Sequence, residues 1–324
     1  MKKRSRIVLL IIIAAVLAFA IYVLVYDFPG AVGGGKAPDA PEASADPESS
    51  ADQGSSTETE EPGSAGAEIN TDGISSLWFY NSLNKERYAA FAARMPEIDL
   101  EDIVWMVEAN LDMQPYSGSE PAGNPESLTV LVNKFFYLEE GFTPPTIVEI
   151  DSSMLRKEAA DAMEELISVA AVRGFRLWVQ SGYRSFSVQK SLYENYTATD
   201  GQEIADTYSA RPGHSEHQLG LAVDFNTITD AFGETPEGRW AAENSWLFGY
   251  IMRYTKENTD ITLFRPEPWH FRYIGIERAA HYKELKFTSY EEYWVKYVKY
   301  QPPDFELPED ADDAASEEEE GTEG

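Results

Sequence analysis

The 324-residue sequence contains no cysteine. That excludes disulfides and thiolate ligands, so a bound metal would have to be held by His, Asp or Glu. Histidine is scarce too: His214, His217, His270 and His281 are the only four. Basic residues are few, 26 Lys and Arg against 56 Asp and Glu, for a formal net charge of -30. Phosphate binding needs clustered positive charge, so a nucleic-acid partner is excluded. No internal repeat is present.

The acidity is uneven. Residues 28–75 carry ten acidic residues against one lysine, and residues 304–324 carry eleven with no basic residue. Both stretches are poor in large apolar side chains and cannot bury enough surface to fold. They read as a disordered acidic stalk and a disordered acidic tail. Ahead of the stalk, Lys2, Lys3, Arg4 and Arg6 precede an uncharged apolar run at residues 7–26. Its length matches the ~20 residues that span a bilayer as a helix. The flanking charge predicts a cytoplasmic N-terminus with the rest of the chain outside. Residues 1–27 therefore read as a membrane anchor. The rival is a signal sequence cleaved near Ala18-Phe19-Ala20, which would release a secreted protein.

Aromatics are 13% of the chain, ample for a core. Periodicity predicts a helical lead-in over residues 76–124, with helix across 85–112, followed by a main domain over 125–303. Within that domain Leu128 to Asn133 reads as a strand. A helix capped by Asp151 or Ser152 runs to Arg173 and is closed by Gly174. Phe175 to Val179 and Leu221 to Phe225 read as strands, Trp240 to Glu257 as a helix, and Ile261 to Phe264 as strand-like. Residues 196–216 read as a polar loop.

The chemistry concentrates downstream of Arg211. The stretch Arg211-Pro-Gly-His-Ser-Glu-His-Gln-Leu-Gly-Leu-Ala-Val-Asp224 places His217 and Asp224 seven apart with small or apolar residues between. A turn at 218–220 followed by a strand would aim both at one point. Glu267-Pro-Trp-His270 adds a second His with a carboxylate three residues before it. Two His and one Asp are the three ligands of a catalytic zinc site with its fourth position left to water, and Glu267 is the candidate base. Spacing alone leaves Glu267 open to being an ordinary surface-turn carboxylate. Arg184, at a strand edge, is either a salt-bridge partner or the cation for a developing oxyanion. Trp269 is either core or pocket wall. His214 ranks below the other ligands because Pro212-Gly213 suggests a loop, and His281 receives no role.

At these residues the chain resembles the zinc D-alanyl-D-alanine carboxypeptidases of the VanY type. Their relatives include LdcB-type L,D-carboxypeptidases, VanX dipeptidases and the zinc-binding signalling domain of Hedgehog. The pattern Ser-x-His-x-x-Gly-x-Ala-x-Asp is whole at Ser215, His217, Gly220, Ala222 and Asp224. Glu-x-Trp-His is present at Glu267, Trp269 and His270, and Ser-Gly-Tyr-Arg-Ser with its following Gln at Ser181 to Ser185 and Gln189. Leu219 departs from the Thr that the family often has. With Leu131-Val-Asn-Lys134 and Gly249-Tyr-Ile-Met-Arg-Tyr254, the resemblance covers about residues 125–295.

The resemblance implies an α+β fold, a central antiparallel sheet carrying Zn2+ on one face with helices around it. It implies zinc held by His217, Asp224 and His270, Glu267 as general base and acid, and Arg184 on the oxyanion. Gln189, Ser215 and Trp269 would contact the peptide. The implied reaction is hydrolysis of the C-terminal D-Ala bond of peptidoglycan stem peptides. The alternatives are L,D-cleavage of tetrapeptide stems and a zinc-stabilised module that binds wall peptides without cutting them.

Overall fold

The computed structural model describes residues 73–306. The apolar run at 7–26, nearly all of the stalk and most of the acidic tail lie outside the described residues. Among the described residues no helix is long and apolar enough to cross a membrane.

The described residues contain eight strands interspersed with helices and lie within one compact unit. Strands β1 (Glu120–Pro121) and β2 (Phe136–Tyr137) form a short parallel pair. Strands β3 (Ile147–Ile150) and β4 (Ser153–Arg156) form a hairpin. The functional sheet is built from β5 (Val179–Ser181), β6 (Ala222–Phe225), β7 (Tyr250–Tyr254) and β8 (Glu267–Tyr273). It is antiparallel throughout, in the order β5-β6-β8-β7. The arrangement is α+β.

The helix Lys157–Val172 covers the core, because Ala159, Met163, Leu166 and Ala170 recur at spacings of three and four and all point inward. Each fully buried side chain such as Leu166 contributes about 1.5–3 kcal/mol, and Leu166→Ala would cost about 2–5 kcal/mol. The Tyr250 hydroxyl donates to the Ala159 carbonyl at 2.6 Å and ties this helix to β7.

Several local expectations are corrected. Asp151 does not cap the helix; it turns the β3–β4 hairpin at φ 51°, and its carboxylate accepts from the Val179 amide at 2.7 Å. Residues 129–133 are buried and Leu128 is half-buried, but they form no ladder. Arg272 instead donates to the carbonyls of Leu128 and Val130, and Tyr290 to that of Thr129. The reading of Trp240 to Glu257 as one helix fails at Gly249. The helix Pro236–Asn244 and a 3-10 turn end there at φ 79°, and the chain continues as β7. A Cβ at Gly249 would sit 2.5 Å from the Tyr273 ring, so the close strand packing requires glycine. Residues 261–264 are not strand-like, since the helix Thr259–Thr262 stops at Leu263 with φ 59°. Much of the expected 196–216 loop is helical, in Phe186–Asp200 and Gln202–Ala205.

The helices Lys85–Arg94 and Leu100–Glu108 form a second core with Phe79, Tyr88, Phe91, Ile103 and Val295. Glu108, buried here, accepts from Asn84, Tyr88, Tyr300 and Lys299. It thereby staples the first helices to the end of the fold.

Candidate active site

Sheet register does the first part of the assembly. Asp224 on β6 stands directly opposite His270 on β8, and Ser181 on β5 flanks Asp224 on its other side. Opposed residues of an antiparallel pair project to the same face. His217 arrives from the 3-10 turn Glu216–Leu219, which Gly220 closes in the left-handed region at φ 68° before the chain enters β6.

The three side chains converge in the interior. Asp224 Oδ2 lies 3.3 Å from His217 Nε2, and Asp224 Oδ1 lies 3.2 Å from His270 Nδ1. One ligand atom from each falls within 4.8 Å of the others. The other nitrogen of each ring is committed. His217 Nδ1 is 2.7 Å from the Gly182 carbonyl, which only accepts, so Nδ1 carries the proton and Nε2 offers its lone pair inward. His270 Nε2 is 3.3 Å from Glu216 Oε2, leaving Nδ1 inward. Asp224 Oδ1 is buried and accepts no hydrogen bond. Two inward lone pairs and an unsatisfied carboxylate oxygen are a donor set that a cation completes, and N/O donors of this kind suit zinc.

Glu267 sits at the other end of a bulge. Tyr254 pairs with Glu267 and Met252 with Phe271, so β8 has two residues more than β7 between these pairs. The bulge holds Pro268 and lets Glu267 and His270 share a site despite their spacing. Glu267 Oε2 is 3.7 Å from His270 Nδ1. Burial, with the Asp224 charge adding to it, pushes the Glu267 carboxyl up to about 7. Burial also works against a charged His217, with Arg184 adding to it, and lowers its pKa. For Asp224 burial is outweighed by the two imidazoles, which hold the carboxyl well below its usual range.

Arg184 lines the same cleft, a space of about 740 Å³. Its guanidinium donates to Gln189 Oε1 at 2.7 Å and Ser181 Oγ at 3.1 Å, and stands 3.8 Å from Asp224 Oδ2. Gln189 in turn donates to the Ala210 carbonyl at 2.6 Å, so its amide is engaged at both ends. Ser215 lines the cleft, and Trp269 serves as core and cleft wall together. His214 points elsewhere, to the Asn133 carbonyl at 2.7 Å. His281 packs among Tyr293, Tyr297 and Phe305.

Sequence reasoning missed Glu216. It is fully enclosed, with Oε1 accepting from Arg253 Nε at 2.9 Å and Arg272 Nη1 at 3.2 Å. Its position beside His217 was the one local hint, while its burial is decided by Arg253 and Arg272. The cleft residues Tyr196, Asp200, Tyr208 and Arg265 were missed as well.

A small antiparallel sheet that sets two imidazoles, a carboxylate and a buried glutamate at the floor of an open cleft belongs to a zinc metallopeptidase. Comparison with known proteins agrees. Residues 152–276 match the VanY family, described as D-alanyl-D-alanine carboxypeptidase. YodJ of Bacillus subtilis (strain 168), provisionally named a carboxypeptidase, is 36% identical over 204 residues, 58% of this chain and 74% of that protein. A D-alanyl-D-alanine carboxypeptidase of Enterococcus faecium is 36% identical over 152 residues, 46% of this chain and 47% of that protein. The solved structure of the LdcB LD-carboxypeptidase superposes with a TM-score of 0.53 at 36% identity, covering 56% of this chain and 92% of that one. The chain belongs to the VanY family of D-alanyl-D-alanine carboxypeptidases, and its His217, Asp224 and His270 form a donor group able to hold a metal ion.

Proposed function

We propose that this chain removes the terminal D-alanine from peptidoglycan stem peptides, with zinc held by His217, Asp224 and His270. The observation that carries the ligand set is the buried Asp224 carboxylate, with Oδ2 3.3 Å from His217 Nε2 and Oδ1, which accepts no hydrogen bond, 3.2 Å from His270 Nδ1. Zinc in that place supplies Lewis acidity and lowers the pKa of a water toward ~7.

The rest is done by side chains. Glu267, lifted to about 7 and facing the cleft, is matched to taking a proton from the attacking water near neutral pH and returning it to the leaving amine. Arg184 faces the oxygen on which negative charge develops. Its angle is fixed by Gln189 and Ser181, so Gln189 is assigned the placing of the guanidinium in addition to any contact with peptide. Ser215 and Trp269 border the path of the peptide. The likeness to an L,D-carboxypeptidase structure supports a second reading, in which the same chemistry cuts a tetrapeptide stem.

The test uses purified, zinc-loaded full-length protein incubated with pentapeptide and tetrapeptide stems, products being read by mass spectrometry with and without chelator. Chelator-sensitive loss of one D-Ala from pentapeptide alone supports the first reading, and loss from tetrapeptide moves it to the second. No cleavage of either with zinc bound overturns both. We assign the work to the outer side of the membrane, with residues 1–27 as anchor and 28–75 as a spacer; basic residues before the apolar run support it. Recovery of the protein in carbonate-washed membranes is expected, and a soluble form trimmed after Ala20 would overturn the anchor.

A further inference from the structure

We infer that Glu216 is a positioning residue for the zinc site: its carboxylate selects which nitrogen of His270 faces the metal. The inference rests on the proposed reading of His270 as a ligand. The two carboxylate oxygens face different partners. Oε1 accepts from Arg253 and Arg272, while Oε2 faces His270 Nε2 at 3.3 Å. An ionised carboxylate only accepts, so the imidazole must place its proton on Nε2 and present Nδ1 to the cleft.

The surroundings keep Glu216 ionised. Arg253 makes a two-pronged pair with Glu291 at 2.6 and 3.0 Å, and the remaining nitrogens of Arg272 bond backbone carbonyls. All four charged side chains are fully enclosed, two carboxylates against two guanidiniums, so the cluster itself is neutral. The two imidazoles consequently adopt opposite tautomers. His217 is set by a backbone carbonyl and His270 by a side chain, and one 3-10 turn carries both His217 and Glu216. Outer partners of this kind orient a ligand and raise its basicity, and losing one typically costs ~10–100-fold in metal affinity.

Glu216→Gln is expected to weaken zinc binding, measured by competition with a chromophoric chelator, about 10–100-fold. It is also expected to shift the visible spectrum of the cobalt-substituted protein. Glu291→Gln removes the same charge from the same Arg253 without touching His270, and is expected to leave affinity and spectrum unchanged. Should Glu216→Gln not fold, Glu216→Asp keeps the charge but withdraws the carboxylate from His270, and the same loss of affinity is expected. In zinc-loaded wild type, ring nitrogen NMR is expected to show zinc on Nδ1 of His270 and on Nε2 of His217. Wild-type affinity in a folded Glu216 variant, equal weakening by Glu291→Gln, or the same tautomer in both rings overturns the inference. His270→Ala separates the two levels. If that variant keeps zinc, the ligand set itself fails; if it loses zinc while Glu216 variants do not, only the role of Glu216 fails.

Discussion

Removing Arg253 tests the buried charge cluster quantitatively. Its guanidinium is wholly enclosed and bonds Glu216 at 2.9 Å and Glu291 at 2.6 and 3.0 Å. Arg253→Met fills most of the volume but leaves two buried carboxylates against Arg272 alone. Breaking a buried pair by removing one partner costs about 3–5 kcal/mol, because the stranded charge has no water to return to. For a domain of this size each kcal/mol lowers Tm by about 2–4 °C, so the expected drop is about 6–20 °C. Adding Glu291→Met restores neutrality, with Glu216 facing Arg272. The double variant should recover most of the loss, short by about 1 kcal/mol for the Asn133 amide left without Glu291. The assay is urea unfolding followed by circular dichroism, run in chelator so that altered zinc affinity does not enter the comparison. A loss under about 1 kcal/mol for Arg253→Met, or a double variant no more stable than the single one, would refute the reasoning.

Other outcomes follow from the site and the staple. Glu267→Gln should retain zinc and lower kcat by about 10²–10⁴ on stem peptide, checked by steady-state kinetics beside metal analysis. Gln189→Leu should leave zinc bound yet lower kcat about tenfold or more, because Arg184 loses its 2.7 Å partner; unchanged kinetics would deny that role. For Glu108, burial raises the carboxyl pKa, but hydrogen bonds from Tyr300, Tyr88, Asn84 and Lys299 outweigh it and the net shift is downward. A lowered carboxyl contributes stability above the unfolded value near 4.5 that is lost as pH falls through the folded value. Glu108→Gln should therefore cost about 1.5–3 kcal/mol at pH 7, and the gap between the two proteins should close in acid, as paired unfolding curves at pH 7 and pH 3 would show.

What could be read from the chain was set by how local its cause is. The His217 to Asp224 spacing encodes a turn and a strand within eight residues, and the turn-plus-strand geometry is what the structure has. The Glu267 to His270 pairing depends on a bulge that holds Pro268, a residue with no amide hydrogen to give to a ladder. The failures lie where tertiary partners decide. The apolar residues 128–133 looked like a strand, but a guanidinium and a phenol from distant elements satisfy their carbonyls. The run Trp240 to Glu257 has helical periodicity up to Gly249, beyond which pairing with β8 prevails. Glu216 escaped notice because a carboxylate's burial depends on Arg253 and Arg272, 37 and 56 residues away.

The strand order β5-β6-β8-β7 has a consequence for synthesis. The last strand made, β8, is the one that slots between two earlier ones, and it brings both Glu267 and His270. Until it emerges, nothing joins β6 to β7 and Asp224 faces no His270. On the proposed site, a nascent chain would be hydrolytically silent until β8 has left the ribosome, and a product truncated before Glu267 would keep only the β5–β6 pair of this sheet.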